Sequence, residues 1–173
     1  MRVGFGFDSH RLTEGRRLVL GGVDIPSPKG EDGHSDGDVL IHAVIDALFG
    51  AACSGDIGSH FPPSDPAYKD IGSLVLLTKA VDEIRKSYRI VNIDCTVILE
   101  RPKILPFVSA IRSSLAPVLG IGECAVSVKG KTKEGLDAAG EGKSIEAYAT
   151  VLLEELSTEK PESHPPEGKT WMA

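Results

Sequence analysis

Apolar and polar positions alternate at the start of the chain. Val3, Phe5 and Phe7 fall on one side, and Arg2, Gly4, Gly6 and Asp8 on the other, a period of two that predicts a strand over 2–8. Asp8 and His10 share a parity, so both project from one side as the strand ends. Residues 17–25 predict a second, short strand region broken by Gly21-Gly22 and ended by Pro26, and the Gly-, Asp- and Ser-rich stretch from Ser27 to Gly37 predicts a loop. A helix is predicted from Asp38 to Ala52, with Ser35 or Asp36 as its N-cap. Its run from Val39 to Phe49 is apolar nearly all round, so it belongs in the core.

The Pro-marked stretch from Asp56 to Pro66 reads as a long loop. Ser73–Ser87 is amphipathic, with Leu74, Leu77, Val81 and Ile84 on one stripe, and predicts a helix. Val91, Ile93, Cys95, Val97 and Leu99 alternate over 90–99 and predict a strand. After the turn Arg101-Pro102-Lys103, a helix is predicted over Ile104–Leu119, with Pro106 in its first turn and Pro117 disturbing its end. Cys124, Val126 and Val128 mark another strand, and Thr132–Gly142 is a Gly-rich loop. Ile145, Tyr148, Leu152 and Leu156 align at helical spacing and predict a final helix over Ser144–Leu156. From Ser157 to Ala173 the chain is polar and Pro-rich, which reads as a disordered tail. The fold class expected is an α/β (α+β) sandwich, one mixed β-sheet covered by helices, in a single domain over 1–156.

Composition narrows the function. The 173 residues are 41% hydrophobic and 25% charged, ordinary for a globular protein with a real core. The net charge of −6 argues against nucleic-acid or anionic-membrane binding. No window approaches the roughly 18 apolar residues of a membrane span, and the N-terminus lacks the layout of a signal peptide. Cys53, Cys95 and Cys124 form no CxxC pair, which points to buried free thiols in a reducing compartment, so the expected location is cytoplasmic.

Two polar clusters carry the chemistry. Asp8-Ser9-His10 closes the first strand, and His34-Ser35-Asp36-Gly37-Asp38 runs into the helix that bears His42. A histidine alone in an apolar helix is more often a satisfied core residue. Asp8, His10 and His42 together interrupt otherwise apolar elements, where burying them unpaired costs several kcal/mol. Two imidazoles and a carboxylate suit a divalent cation with an open position, zinc before manganese or iron. Asp46, four residues after His42, is placed to hold the second imidazole nitrogen or to cap a solvent-facing edge. His34 and Ser35, beside the N-terminus of the His42 helix, suit a phosphate. His60 has no comparable context and reads as a surface loop residue.

Two phosphate-loop near misses are rejected. Asp137–Ser144 reads DAAGEGKS, with Asp137 where a glycine is required and Glu141 in the cradle; the other ends in Gly130-Lys131-Thr132. Lys131, Thr132 and Lys133 remain as a point-charge and hydroxyl grip for a diphosphate, or as a solvated turn.

These residues resemble a known family. Gly6-Phe7-Asp8-Ser9-His10, His34-Ser35-Asp36-Gly37-Asp38-Val39, His42-Ala43, Asp46-Ala47, Gly55-Asp56-Ile57-Gly58 with Phe61-Pro62, Arg101–Pro106 and Thr132-x-Glu134-x-Leu136 are similar to 2-C-methyl-D-erythritol 2,4-cyclodiphosphate synthases, in order from Arg2 to about Leu156. The resemblance implies conversion of 4-diphosphocytidyl-2-C-methyl-D-erythritol 2-phosphate to the cyclic diphosphate and CMP, in the non-mevalonate isoprenoid pathway. It implies a homotrimer with active sites between subunits. Asp8, His10 and His42 match the zinc (or manganese) ligands, and Glu134 the ligand of a magnesium ion bridging the diphosphate. His34 and Thr132 match groups at the reacting phosphates and are the catalytic candidates. The substrate contacts implied are Asp8, Ser9, His10, His34 and Ser35; Asp56, Ile57, Gly58, Phe61 and Asp65 around the erythritol; Pro102, Lys103, Ile104 and Leu105 around the cytidine; and Lys131, Thr132, Lys133 and Glu134 at the phosphates.

Two positions depart from the family pattern. Ala138 removes an aromatic, and Glu141 replaces an arginine that lines the trimer axis in some members and can meet an isoprenoid diphosphate. No such effector is therefore expected here, and measurable binding of geranyl diphosphate contradicts that. Rival readings are a metal-dependent phosphohydrolase and a non-catalytic zinc- or nucleotide-binding module.

Overall fold

The computed structural model describes residues 1–32, 36–62, 64–68 and 71–156. His34, Ser35 and the tail 157–173 lie outside these residues.

A five-stranded sheet organises the chain. Strand β1 (Arg2–Glu14) is longer than its alternation predicts, because β4 (Lys29–Asp32) pairs with its second half. The stretch expected as a loop from Ser27 therefore contains a strand. The short strand region expected over 17–25 is broken at Gly21-Gly22, and its two halves, β2 (Leu18–Leu20) and β3 (Val23–Ile25), pair with each other as a small hairpin. Strands β5 (Tyr88–Ile98), β6 (Val126–Lys131) and β7 (Ser144–Glu155) complete the sheet in the order β4-β1-β7-β5-β6. Only β5 and β6 run parallel, so the sheet is mixed.

Strand β7 corrects the expected final helix. Ile145, Ala147, Ala149, Val151 and Leu153 are buried at period two, a second pattern in the same segment. The sheet selects it because β7 pairs with both β1 and β5. A bulge between Ile90 and Asn92 moves Val91 out of the alternation expected of β5, and Ile90 takes the buried place.

The helices are α1 (Val39–Ala52), α2 (Ile57–His60), α3 (Ser73–Ile84), α4 (Val108–Leu119) and α5 (Asp137–Gly140). The long loop expected from Asp56 thus contains α2, and the Gly-rich loop after Thr132 contains α5. A 3-10 turn, Leu105–Phe107, replaces the expected first turn of α4, and Pro117 falls in its last. Helix α1 packs on β1 and β7, α4 on β6, and α3 on α1 and α4. The N-cap of α1 is Asp38, accepting from the N–H of Ile41, rather than Ser35 or Asp36.

Helices thus cover one sheet face. On the other, Val3, Phe5 and Phe7 are exposed, the two phenylalanines beside Tyr148. The buried side of β1 is the glycine side. No helix among the described residues is long and apolar enough to cross a membrane.

Candidate metal centre

Gly4 and Gly6 let α1 lie directly on β1. A Cβ at Gly6 would stand 2.0 Å from the carbonyl oxygen of Ala43, and one at Gly4 1.9 Å from that of Ala47. With the helix this close, the next residues of the same parity, Asp8 and His10, meet His42. One carboxylate oxygen of Asp8 lies 3.1 Å from Nε2 of His10 and 3.0 Å from Nδ1 of His42. The two rings stand edge to face, 5.2 Å apart. The donor atoms of the three residues lie within 4.8 Å of one another, and all three side chains are partly buried.

The outer nitrogens decide what the inner ones offer. Nδ1 of His10 is 2.7 Å from the carbonyl oxygen of Gly37 and 2.9 Å from Oε2 of Glu31. The carbonyl can only accept, so Nδ1 carries the proton and Nε2 turns a lone pair inward. Nε2 of His42 lies 3.2 Å from Oγ of Ser73, which itself donates to Asp36. Nδ1 of His42 is thereby left to face Asp8. Three acceptor atoms converging in this way require a shared proton or a cation among them. Without a cation the proton is held tightly. Burial opposes charge on His10, yet the carboxylates of Asp8 and Glu31 outweigh it and push the ring up to about 10. Burial of Asp8 is likewise outweighed by the two imidazoles, which hold its carboxyl well below the usual range. Burial pushes Glu31 up to about 8, against its hydrogen bond with His10. The donor set fits a divalent metal.

Glu31 and Ser73 carry no motif signal, since only β4–β1 pairing and the α1–α3 contact bring them to the imidazoles, whereas Gly37 belongs to the polar cluster that runs into α1. Asp46 does not hold His42. Its Oδ1 accepts from the N–H of Ile57 at 2.7 Å and ties α2 to α1. Asp56 caps α2 by accepting from the N–H of Ser59, 2.8 Å away, while the Ile57–Asp46 bond fastens the start of α2 to α1 one helical turn after His42. Phe61 packs against Phe49 and Tyr68, and Asp65 accepts from the N–H of Ala67. His60, expected as an unengaged surface residue, stacks on Phe49 at 3.8 Å and accordingly anchors this segment. Ser9 has the opposite parity to the ligands and reaches the cluster by its N–H, 2.8 Å from Asp8.

A second group assembles elsewhere. Lys103, Ile104, Leu105, Lys131 and Thr132 line a cavity of about 520 Å³ floored by Val97, Val128 and Gly130. Pro102 lines a neighbouring cavity with Lys103. Glu134 is exposed in the turn after β6, and Lys133 pairs with Asp137 at 3.0 Å. Glu141 pairs with Lys143. None of the metal-centre residues lines the first cavity. Asp8, Ala147, Val97 and Gly130 are successive partners across four strands, so about 14 Å of sheet separates the two groups.

A profile described as the YgbB family matches residues 1–154. The chain belongs to the YgbB family. Among its relatives, the 2-C-methyl-D-erythritol 2,4-cyclodiphosphate synthase of Gloeobacter violaceus is 54% identical over 156 residues, 90% of this chain and 96% of that protein. The solved structure described as the IspF of Plasmodium falciparum in complex with CDP is 39% identical, with a TM-score of 0.79 over 90% of this chain and 97% of that one. The bifunctional IspDF of Campylobacter jejuni superposes with a TM-score of 0.86 at 38% identity, over 90% of this chain and 42% of that one.

Proposed function

We infer that this YgbB chain is a 2-C-methyl-D-erythritol 2,4-cyclodiphosphate synthase, the phosphorus–oxygen lyase that makes the cyclic diphosphate and CMP in the non-mevalonate isoprenoid pathway. The observation that carries the reading is the convergence of Asp8, His10 and His42 on one point, in a chain about half identical to synthases across nearly its whole length.

Asp8, His10 and His42 hold a divalent cation, zinc or manganese, and Glu134 a magnesium ion. When bound, such ions draw off negative charge from the phosphates. The chain's own residues position the reactants. The substrate's 2-phosphate oxygen attacks the nearer diphosphate phosphorus, that new P–O bond closes the ring, and the bond from the same phosphorus to the CMP oxygen breaks. The nucleophile is already an anion, so in-line placement and charge neutralisation do most of the work. His34 and Ser35 contact phosphate, Thr132 polarises it, and Lys131 and Lys133 add positive charge. Asp56–Gly58, with Phe61 and Asp65, hold the erythritol. Pro102–Leu105 receive the cytidine, and a cavity of about 520 Å³ suits a nucleoside.

The separation of that cavity from the metal centre supports an active site shared between copies. The exposed Val3, Phe5 and Phe7 supply an apolar face for a homotrimer. Residues 1–156 form the single catalytic domain, and the location is cytoplasmic. Glu141 is the reason to expect no isoprenoid diphosphate at the trimer axis.

Phosphorus NMR of the zinc-loaded protein with the cytidyl substrate tests the assignment. The expected products are CMP and the cyclic diphosphate, with no oxygen taken from labelled water, and His42→Ala abolishes both while keeping the fold. Linear phosphates carrying the label establish a phosphohydrolase instead, and absence of turnover a binding module.

A further inference from the structure

Glu31 is a carboxylate where a strand beside the core invites an apolar residue. It is 1% exposed. Its Oε2 lies 2.9 Å from Nδ1 of His10 and 2.9 Å from the N–H of Val39, the first residue of α1. One oxygen atom thus touches the ring of one metal ligand and the start of the helix that carries another. The second oxygen, Oε1, is buried with no hydrogen-bond partner among the described residues. A buried oxygen without a partner is a cost that an apolar side chain at this position avoids. The sequence keeps the carboxylate despite that cost, so its benefit must come from the bonds of Oε2.

We propose that Glu31 is a positioning residue of the metal centre, whose single buried oxygen locks His10 and the N-terminus of α1 into the geometry that binds the cation. The inference rests on the metal reading of Asp8, His10 and His42. Glu31 touches neither the cation nor the substrate. By accepting from Nδ1–H it fixes the ring's tilt and keeps the Nε2 lone pair aimed at Asp8. By accepting from Val39 it sets the height of α1, and with it the reach of His42. Outer partners of this kind are worth about 10- to 100-fold in metal affinity. The Gly37 carbonyl bonds the same nitrogen, 2.7 Å away, and Glu31 adds the bond to Val39.

The test is zinc affinity of the full chain, by competition with a chelator of known strength, with cobalt(II) absorption as a report on ligand geometry and thermal melting of the metal-free protein as a report on folding. Glu31→Leu is expected to weaken zinc by about 10- to 100-fold and to shift the cobalt bands, while the metal-free melting temperature changes little or rises. Glu31→Gln keeps an oxygen at the Oε2 position and retains affinity within a few-fold. Glu31→Asp is one methylene too short to reach both partners and loses affinity as Glu31→Leu does, so it serves should the leucine variant fail to fold. Leu or Asp variants that bind zinc like the parent overturn the proposal, as does a Gln variant that falls as far as they do. A parent protein that binds no zinc fails in a separate way, by removing the metal reading itself.

Discussion

At Gly4 and Gly6 the absence of a side chain is what brings Asp8 and His42, two of the candidate metal ligands, together. The carbonyl oxygens of Ala43 and Ala47 stand where a Cβ would go, and a backbone cannot yield as a flexible side chain can. Gly6→Val is therefore expected to push α1 off β1. The destabilisation should reach at least the upper end of the roughly 1–3 kcal/mol found for overpacked cores, measured by urea unfolding. Zinc affinity should fall with it, because Asp8 and His42 are carried by the two elements being separated. A variant with parental stability and affinity shows that the helix can ride outward without harm. The opposite side of the same strand is free of this constraint, which is how β1 carries Val3, Phe5 and Phe7 into solvent.

Among the elements, α1 is held by its first residues. Asp38 is fully buried, and its two oxygens accept from Ile41 at 3.0 Å and from Gly22 at 2.7 Å, so one side chain caps the helix and ties the β2–β3 hairpin to it. Burial pushes Asp38 up to about 6, against the backbone N–H groups that favour its charge. The folded protein therefore binds this proton more tightly than the unfolded chain. The contribution to stability is fully present below about pH 4 and is lost as the pH rises through about 6. Asp38→Ala removes a cap worth about 1–2 kcal/mol, and the gap between parent and variant should narrow between about pH 4 and about pH 7. Unfolding curves at both pH values check this, and a gap that widens over that interval refutes it. Strand β7 shows how elements can be misread one at a time. Its residues satisfy both a helical and an alternating period, and only the free edges of β1 and β5 make the strand the better choice.

For the whole molecule, the issue is where one active site is made. Within one chain the metal centre and the cavity of Lys103–Leu105 and Thr132 are held apart by β7 and β5. Two inactive variants should then complement each other. One carries His42→Ala, and the other Gly130→Val, which fills the cavity wall against Ile104. Refolded as a mixture and assembled as the proposed cyclic trimer at random composition, they should recover about a quarter of the parental rate, because each mixed trimer would rebuild one of its sites. No recovery in trimers shown to contain both chains places the entire site within one copy.

The sequence by itself singled out the three side chains that converge and the elements of strong single period. Asp8, His10 and His42 stood out because polar side chains interrupt apolar segments, and α1 and β5 because burial on every side, or on alternate residues, leaves one local solution. Only the tertiary structure decided that β7 is a strand, that β1 buries its glycines and exposes its phenylalanines, and that Glu31 and Ser73 complete the imidazoles. Each of those outcomes depends on a neighbour distant along the chain. A local period records how often a residue meets the core, but not which partner it meets there.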